Sequence, residues 1–281
     1  MTEAILASEP EIRLGFFIGL FALMALLEAW RPGRARMVSR WRRWPSNLGI
    51  VALNSVLLRV VFPAVPLGLA VLAQAQGWGL LNILALPGWL AVVIAVVLFD
   101  LAIYLQHVMV HAVPALWRLH RMHHSDLDFD VTTGARFHPV EILLSMAIKL
   151  ALVAALGPPA IAVLIFEVAL NGSSMFNHAN LRLPGALDRC LRWIVVTPDM
   201  HRVHHSIVPF ETNSNFGFCL PWWDRLFGTY RDQPEKGHQD TTIGIDLFRD
   251  PGDLHLPKML AQPFVEAAGN YPINRRDWDK G

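Results

Sequence analysis

The sequence is poor in charged residues. Charged residues make up 17% of the 281 positions, apolar residues make up 53%, and the mean hydropathy is +0.36. This balance is poorer in charge than that of a typical soluble domain and favours a membrane protein. The formal net charge of +1 argues against a nucleic-acid partner, which requires a basic excess gathered in a patch.

Cysteine and several common metal motifs are also scarce. Cys190 and Cys219 are the two cysteines, too few for a disulfide framework and not in a CxxC pair, so both are interpreted as reduced thiols. The HExxH of zinc proteases and the paired Glu-x-x-His of soluble di-iron bundles are missing. Internal repeats and low-complexity stretches are missing as well, so we expect a single domain over residues 1–281.

Five apolar runs predict membrane helices, since a crossing needs roughly 20 helical residues. The runs are Ile12–Trp30, Asn47–Ala75, Leu86–Gln106, Glu141–Leu156 and Pro159–Met175. The second run is broken by Pro63 and Pro66, and we interpret it as one crossing, either kinked or with a re-entrant piece. The last two runs are joined by a Gly-Pro-Pro turn at 157–159 that suits a helical hairpin. We therefore expect an all-α integral membrane fold with about four to five transmembrane helices.

The distribution of arginine predicts the orientation of these helices. Basic residues crowd the loop after the first run, namely Arg31, Arg34, Arg36, Arg40, Arg42 and Arg43, and such loops prefer the cytoplasm. The loops at 76–82 and 157–159 carry no charge and are predicted outside. Membrane helices then span about 12–178, cytoplasmic metal-binding parts cover 107–138 and 178–230, and 231–281 forms a C-terminal tail. The tail is predicted either to lie on the membrane surface over the site or to be an ordinary packing segment. The predicted location is a bacterial inner membrane or an endoplasmic-reticulum type of membrane.

Histidines are gathered at ligand spacing in three places. An HxxxH pair ends the third apolar run, where a helix places both residues on one face. Two HxxHH motifs follow, and a helix would point the three histidines of each motif into one sector. The eight residues are His107, His111, His120, His123, His124, His201, His204 and His205. So many buried imidazoles would be costly with only ordinary hydrogen bonds to make, so the clusters predict metal binding.

Two further histidines lie in suggestive contexts. His138, in Arg-Phe-His-Pro-Val-Glu, and His178, in Asn-His-Ala-Asn, are either further ligands or hydrogen-bonded residues near the site. Eight to ten imidazoles exceed what one tetrahedral zinc can bind, so at least two metals are expected. Imidazole donors suit iron, copper or zinc. Iron is favoured because a lipid substrate in a membrane indicates oxygen chemistry rather than hydrolysis.

Acidic residues are expected beside the metal ligands. A ligating imidazole usually donates its second N–H to a carboxylate or a carbonyl. The acids nearest in sequence are Asp100, Asp126, Asp199, Glu211 and Asp224. Among them Asp100, Asp199 and Asp224 are the candidates for orienting ligands, although the sequence does not pair one acid with one histidine.

The HxxxH and two HxxHH motifs in this order resemble the fatty acid hydroxylase and sterol desaturase superfamily of membrane non-haem di-iron enzymes. Other stretches within residues 95–230 carry the same resemblance. They are Asp100, Leu116-Trp117, Arg136-Phe137-His138-Pro139, Asn177-His178-Ala179-Asn180, Thr197-Pro198 and Trp223–Thr229. The resemblance implies that the eight clustered histidines ligate iron, with His138 and His178 as further ligands.

The resemblance also implies the chemistry. It implies two iron ions, O2 as co-substrate and electrons from a separate redox partner such as cytochrome b5, a ferredoxin or a reductase, because the His-Pro-Gly-Gly signature of a fused cytochrome b5 domain is missing. We therefore predict an O2-dependent di-iron oxidoreductase that hydroxylates or desaturates a membrane lipid such as a fatty acyl chain or a sterol. The alternative is a membrane metal- or haem-binding electron-transfer protein without oxygenase activity, which a Soret band would indicate if haem is bound.

Overall fold

The structure is a computed structural model that describes residues 8–62, 66–265 and 268–273. Over these residues the chain is almost entirely helical and contains no β-strand, apart from two isolated bridges between Pro32 and Leu181 and between Ser206 and Ile243. The all-α prediction is confirmed for this part of the chain.

The helices that include the candidates for membrane crossings come first in the chain. They are α1 (Glu9–Trp30), α2 (Arg40–Val61), α3 (Pro66–Gln76), α4 (Leu80–Ile83), α5 (Gly88–Ala112), α6 (Pro114–His124), α7 (Pro139–Leu156) and α8 (Ala160–Asn177). Shorter helices follow: α9 (Gly185–Leu191), α10 (Pro198–His204), α11 (Pro209–Thr212), α12 (Trp222–Phe227), α13 (Gly237–Asp240) and α14 (Leu256–Ala261). Single 3-10 turns cover Thr133–Ala135, Pro251–Leu254 and Gln262–Phe264.

Five stretches are long and apolar enough to cross a membrane. They are α1, the stretch Arg40–Ile83 that contains α2 to α4, and the helices α5, α7 and α8. The five predicted runs are therefore confirmed as helical candidates for crossings. Pro63, one of the two prolines that break the second run, lies outside the described residues, and Pro66 begins α3. The predicted cytoplasmic side of the clusters stays a prediction.

The turn between α7 and α8 is held against the start of α4. Gly157 ends α7 in the left-handed conformation, with φ of 57°, which glycine adopts without steric cost. A Cβ on Gly79 would lie 2.3 Å from the backbone nitrogen of Gly157. Both positions require glycine because the two backbones meet here. Behind this contact an apolar core joins α5 to the hairpin, with Phe99 and Phe166 packed at a centroid distance of 5.2 Å.

A buried ionic network fixes the segment between α6 and α7. Arg43 of α2 donates to both carboxylate oxygens of Asp126 at 2.7 Å and to Asp130 at 2.6 Å. All three side chains are almost completely buried. Such pairing is what makes buried charges tolerable, and here it holds the chain after His124 against α2.

The described part of the C-terminal tail packs against α6 and α2. Trp117 donates to the carbonyl of Ala268 at 3.0 Å, and Met259 is buried with Met122 and Ile50. Phe264 remains 72% exposed. Most of these contacts are those of an ordinary packing segment, one of the two alternatives for the tail.

Candidate metal centre

The first histidines of the site lie where α5 ends and α6 begins. His107 and His111 occupy the last turns of α5. Pro114 then begins α6, where its missing N–H is no loss because the first helical N–H has no intrahelical partner. α6 carries the first HxxHH motif in its final turns, and all three of its histidines are buried.

The remaining histidines come from α8 and α10. His178 is the residue that ends α8. Thr197 caps the start of α10, and its hydroxyl accepts from the backbone N–H of Met200 at 3.3 Å. Pro198 is the first residue of the helix. Both residues are favourable at the start of a helix. This short helix presents the second HxxHH motif to the first, and its histidines are fully buried.

Nine histidines come together in two adjoining groups. In each group, one nitrogen of every ring lies within 4.8 Å of the corresponding nitrogens of the other rings, close enough to hold a metal ion. Group one contains His107, His111, His120, His124 and His204. Group two contains His123, His178, His201 and His205. The rings of His124 and His205, one from each group, stack with centroids 4.5 Å apart, so the two groups adjoin.

Each HxxHH motif is divided between the two groups. His120 and His124, four residues apart, join group one, whereas His123 joins group two. In the second motif His204 joins group one, and His201 and His205 join group two. The three histidines of a motif, which were expected to point into one sector, therefore serve two adjoining groups. The motifs from α6 and α10 face each other, so each supplies both groups.

Four of the five rings of group one, all except His124, are oriented by acceptors at Nδ1. The partners are the carbonyls of Phe216 for His107 at 2.9 Å and of Ser214 for His204 at 2.8 Å, the side-chain oxygen of Asn213 for His111 at 3.2 Å, and Glu141 for His120 at 2.6 Å. Because an oxygen acceptor requires a proton on Nδ1, each Nε2 carries a lone pair. These four Nε2 atoms are buried and have no hydrogen-bond partner within the described chain. This is the arrangement of metal ligands held by outer hydrogen bonds.

In group two, ring nitrogens converge on the Nε2 of His178. The Nε2 of His178 lies 3.2 Å from Nε2 of His123 and 3.1 Å from Nε2 of His201. The Nδ1 of His178 is meanwhile 2.8 Å from the carbonyl of Ser174, so its Nε2 is unprotonated. Nitrogens bound at about 2.1 Å to one metal would lie at such separations. The donor set and the spacing both fit a metal ion.

The protonation states agree with ligation. Burial lowers the pKa of His178 and of His204 to about 3. Burial and the neighbouring imidazoles lower the pKa of the other cluster histidines outside the membrane helices well below the ordinary value; these are His123, His124, His201 and His205. The imidazoles are therefore neutral near neutral pH, which is the form that binds metals.

His138 does not join either group. It precedes α7, its Nδ1 accepts from the backbone N–H of Val140 at 3.2 Å, and its Nε2 lies 3.3 Å from the carbonyl of Leu260. Both nitrogens thus have local partners, and the ring caps a helix. Of the two alternatives left open for His138 and His178, the structure places His178 among the group-two nitrogens and His138 outside both groups.

The predicted orienting acids do not contact the cluster imidazoles. Asp100 accepts from the backbone N–H groups of Cys219 and Leu220 and from the indole of Trp223. Asp224 accepts from Phe216 N–H at 2.7 Å and so supports the peptide whose carbonyl holds His107. Asp199 pairs with Arg202. These three acids shape the surrounding chain instead of holding a ring.

Glu141 is the acid that sequence reasoning missed. It lies in the first turn of α7, and its Oε1 is 2.6 Å from Nδ1 of His120. Glu141 is 21 residues from His120 in the sequence and reaches it through the packing of α7 beside α6. Its position three residues after His138, in a stretch already noted, was the available signal.

A cavity leads from the membrane helices to both groups. It has a volume of about 290 Å³ and lies between α1, α2, α5, α7 and α8. Its inner end is formed by His107 and His120 of group one and His123 of group two. Its walls are largely apolar and include Phe17, Val51, Leu58, Ile103, Ile142 and Phe218. An alkyl chain could reach the histidines of both groups by this path.

Comparison with known proteins finds a family match over the part of the chain that carries the histidine groups. Residues 92–229, which contain most of α5, all of α6 to α8 and both HxxHH motifs, match the family model of the fatty acid hydroxylases. The chain belongs to the fatty acid hydroxylase and sterol desaturase superfamily. The predicted family is thereby confirmed, and the matched residues include every member of the two histidine groups.

Individual relatives in this superfamily act on different lipids. An ornithine lipid hydroxylase of Rhizobium tropici is 34% identical over 62% of this chain and 50% of its own. An alkylglycerol monooxygenase of Xenopus tropicalis is 26% identical over 83% of this chain and 50% of its own. Cholesterol 25-hydroxylase of Rattus norvegicus is 30% identical over 61% of this chain and 57% of its own. The chain thus spans about half the length of the first two relatives. No solved structure gave a significant match.

Proposed function

We propose that this chain is an O2-dependent di-iron oxidoreductase that hydroxylates or desaturates a membrane lipid. The observation that carries the proposal is the cavity between the membrane helices, which ends on histidines of both groups. The proposed site for an alkyl chain and the proposed site for two metals therefore share the histidines that line the cavity. The named activities of the relatives, on an ornithine lipid, an alkylglycerol and cholesterol, support a lipid as the substrate class.

The two histidine groups would each hold one iron ion. The ligands we assign are the nine grouped histidines, five in group one and four in group two. Bound iron would supply the activation of O2 that attack on an unreactive alkyl carbon requires. Imidazole ligands also suit other first-row metals, so the identity of the metal is part of the proposal.

The chain's own residues would fix the ligands and keep water away. The carbonyls of Ser214 and Phe216 and the carboxylate of Glu141 fix the orientation of their rings through Nδ1. The apolar cavity walls would hold the alkyl chain and exclude water from the reacting carbon. Because His138 has other partners, we leave it out of the ligand set.

Electrons would come from a separate protein. A cytochrome b5, a ferredoxin or a reductase would approach the side of the membrane that carries α9 to α13. The arginine-rich loop before α2 supports a cytoplasmic location for that side, because short basic loops are retained there.

Lipid mass spectrometry tests this function. Cells lacking the gene are complemented with the wild-type chain, His204→Ala or His255→Ala, and lipids are extracted after growth with isotopically labelled O2. His255 is exposed and outside both groups, so its variant is the matched control. We expect lipids that gain one labelled oxygen or lose two hydrogens with wild type and His255→Ala, and neither change with His204→Ala. Unchanged lipids with wild type, or a Soret band in the purified protein, would contradict the proposal.

A further inference from the structure

Besides Glu141, which bonds His120, three charged side chains of the membrane helices line the cavity and are called the charged trio. Arg13 belongs to α1, Lys149 to α7 and Glu167 to α8. The ammonium of Lys149 lies 3.0 Å from one carboxylate oxygen of Glu167, and the guanidinium of Arg13 lies 3.0 Å from the other. Ionisable groups within membrane segments are costly, and they commonly mark a functional path.

Helix association alone does not account for this charged trio. A buried ion pair is often no more stabilising than apolar residues of similar volume, and the surrounding contacts between these helices are apolar. Arg13 has a second acidic partner, Glu9, at 2.5 Å. Glu9 does not line the cavity. The trio itself therefore brings two cations and one carboxylate to the cavity, while the other lining carboxylate, Glu141, bonds His120.

The charged trio offers hydrogen-bond donors to a ligand. One oxygen of Glu167 accepts from Lys149, and the other forms an ion pair with Arg13. An ammonium has three N–H donors and a guanidinium five, and the side chain of Lys149 retains 13% exposure and that of Arg13 36%. Unused N–H groups in an apolar cavity suit a ligand that brings oxygen acceptors.

The charged trio lies at a fixed distance from the histidines. Lys149 is about 12 Å along α7 from Glu141, at the helical rise of about 1.5 Å per residue, and Glu141 bonds His120. Apolar residues of the same cavity lie between these two ends, among them Ile142, Met146 and Leu170. Along α7 the cavity thus has the charged donor of Lys149 at one position and the histidine contact of Glu141 at another, with a lining between them that is mostly apolar and includes Ser145.

We propose that Lys149 and Arg13, held by Glu167, bind the oxygen-bearing polar group of the substrate lipid. The alkyl chain then runs from this group to the histidines, so the distance between the two ends determines which carbon is oxidised. The ligand chemistry is an oxygen acceptor joined to a long alkyl chain, supplied by a carboxylate, a phosphate or an ester. The proposal rests on the proposed function for its oxidised carbon, but binding of the polar group needs no turnover.

Binding of defined amphiphiles tests the inference separately from catalysis. Calorimetry on the purified full chain would compare hexadecanoate, hexadecyl phosphate, methyl hexadecanoate and n-hexadecane. We expect at least one oxygen-bearing probe to bind at least about tenfold more tightly than n-hexadecane, because hydrogen bonds to charged groups contribute that much. The carboxylate, phosphate and ester arms identify the source of the oxygen. Equal affinity for all four probes in the wild-type chain would overturn the inference, with no variant needed.

Variants locate the binding group. Lys149→Met should remove the preference for oxygen-bearing probes, Lys149→Arg should retain part of it, and Lys258→Met is the matched control because Lys258 is exposed and outside the cavity. Metal content equal to wild type shows that each variant is folded. A preference that persists in Lys149→Met would overturn the assignment. If wild type binds these probes with this preference but oxidises no lipid, the proposed function fails and the binding site stands.

Discussion

The carboxylate of Glu141 lies 2.6 Å from the Nδ1 of His120, and both side chains are buried. α7 supplies the acid and α6 the imidazole, so the packing of two helices sets the direction of one proposed ligand. The Nε2 of His120, on the opposite side of the ring, is without a hydrogen-bond partner among the described residues. The packing of α7 beside α6 therefore orients a ligand of the proposed metal centre.

Glu141→Gln should weaken metal binding at group one. The amide keeps the size of the side chain but removes the charge that makes the imidazole a better donor, and loss of such an outer partner typically costs about 10–100-fold in metal affinity. Competition with a chelator of known affinity, followed by metal analysis, measures the change.

Asp199→Asn is the control for Glu141→Gln. Asp199 is an acid adjacent in sequence to a cluster, but its partner is Arg202 rather than a cluster imidazole. The metal affinity of the Asp199→Asn variant should equal that of wild type. An equal loss in the two variants would mean that general acidity near the site, and not the contact with His120, supports the metal.

His178→Ala and His138→Ala should differ in metal content. His178 lies within 3.2 Å of two other group-two rings, so its loss should weaken binding at least as much as the roughly 10–100-fold effect of losing an outer partner. His138 caps α7 and should be replaceable without loss of metal. Metal analysis after dialysis distinguishes them, and a larger loss in His138→Ala would refute the assignment.

Arg43→Met should destabilise the protein strongly at neutral pH. It leaves the buried carboxylates of Asp126 and Asp130 without their cation, and breaking a buried pair in this way costs about 3–5 kcal/mol. Thermal unfolding of the metal-free protein in detergent measures the loss. The neighbouring Arg42 is exposed, so Arg42→Met should unfold near the wild-type temperature.

The same network predicts a dependence on pH. Burial acts to raise the pKa of Asp126 and Asp130, but Arg43 outweighs it and holds both pKa values below the usual range. The ionised carboxylates therefore contribute stability that is fully present above about pH 4, the pKa of an unfolded aspartate, and is lost as the pH falls through the native pKa values. The difference in stability between wild type and Arg43→Met should be largest near neutral pH and shrink as the pH falls, first because the unpaired carboxylates of the variant take up protons and then because those of wild type do. A difference undiminished at low pH would contradict this origin.

The helices could be read from the sequence because each apolar run is long and ends at charged, glycine or proline residues. The α7–α8 hairpin follows directly from its Gly-Pro-Pro turn. Two prolines in the second run indicated that it is interrupted, and α3 begins at the second of them, Pro66, while the spacing of His107 and His111 indicated that α5 continues past the apolar run. Hydropathy does not mark a helix beyond its apolar part.

The histidines could be recognised from their spacing, but their division into two groups could not. His120, His123 and His124 lie on one helix, and which ring joins which group depends on the facing motif of α10. That partner lies far away in the sequence. The same limitation explains why Glu141 was missed and why Asp100 and Asp224 were expected beside the rings.

Iron content of variants within one HxxHH motif tests the proposed centre most directly. His204 belongs to group one and His205 to group two, so these adjacent residues should serve different metal ions. Elemental analysis and Mössbauer spectroscopy on the purified chain should find two irons in wild type, with His204→Ala and His205→Ala each depleting a different signal. A single iron in wild type, or full iron content in His204→Ala, would contradict the two-site assignment.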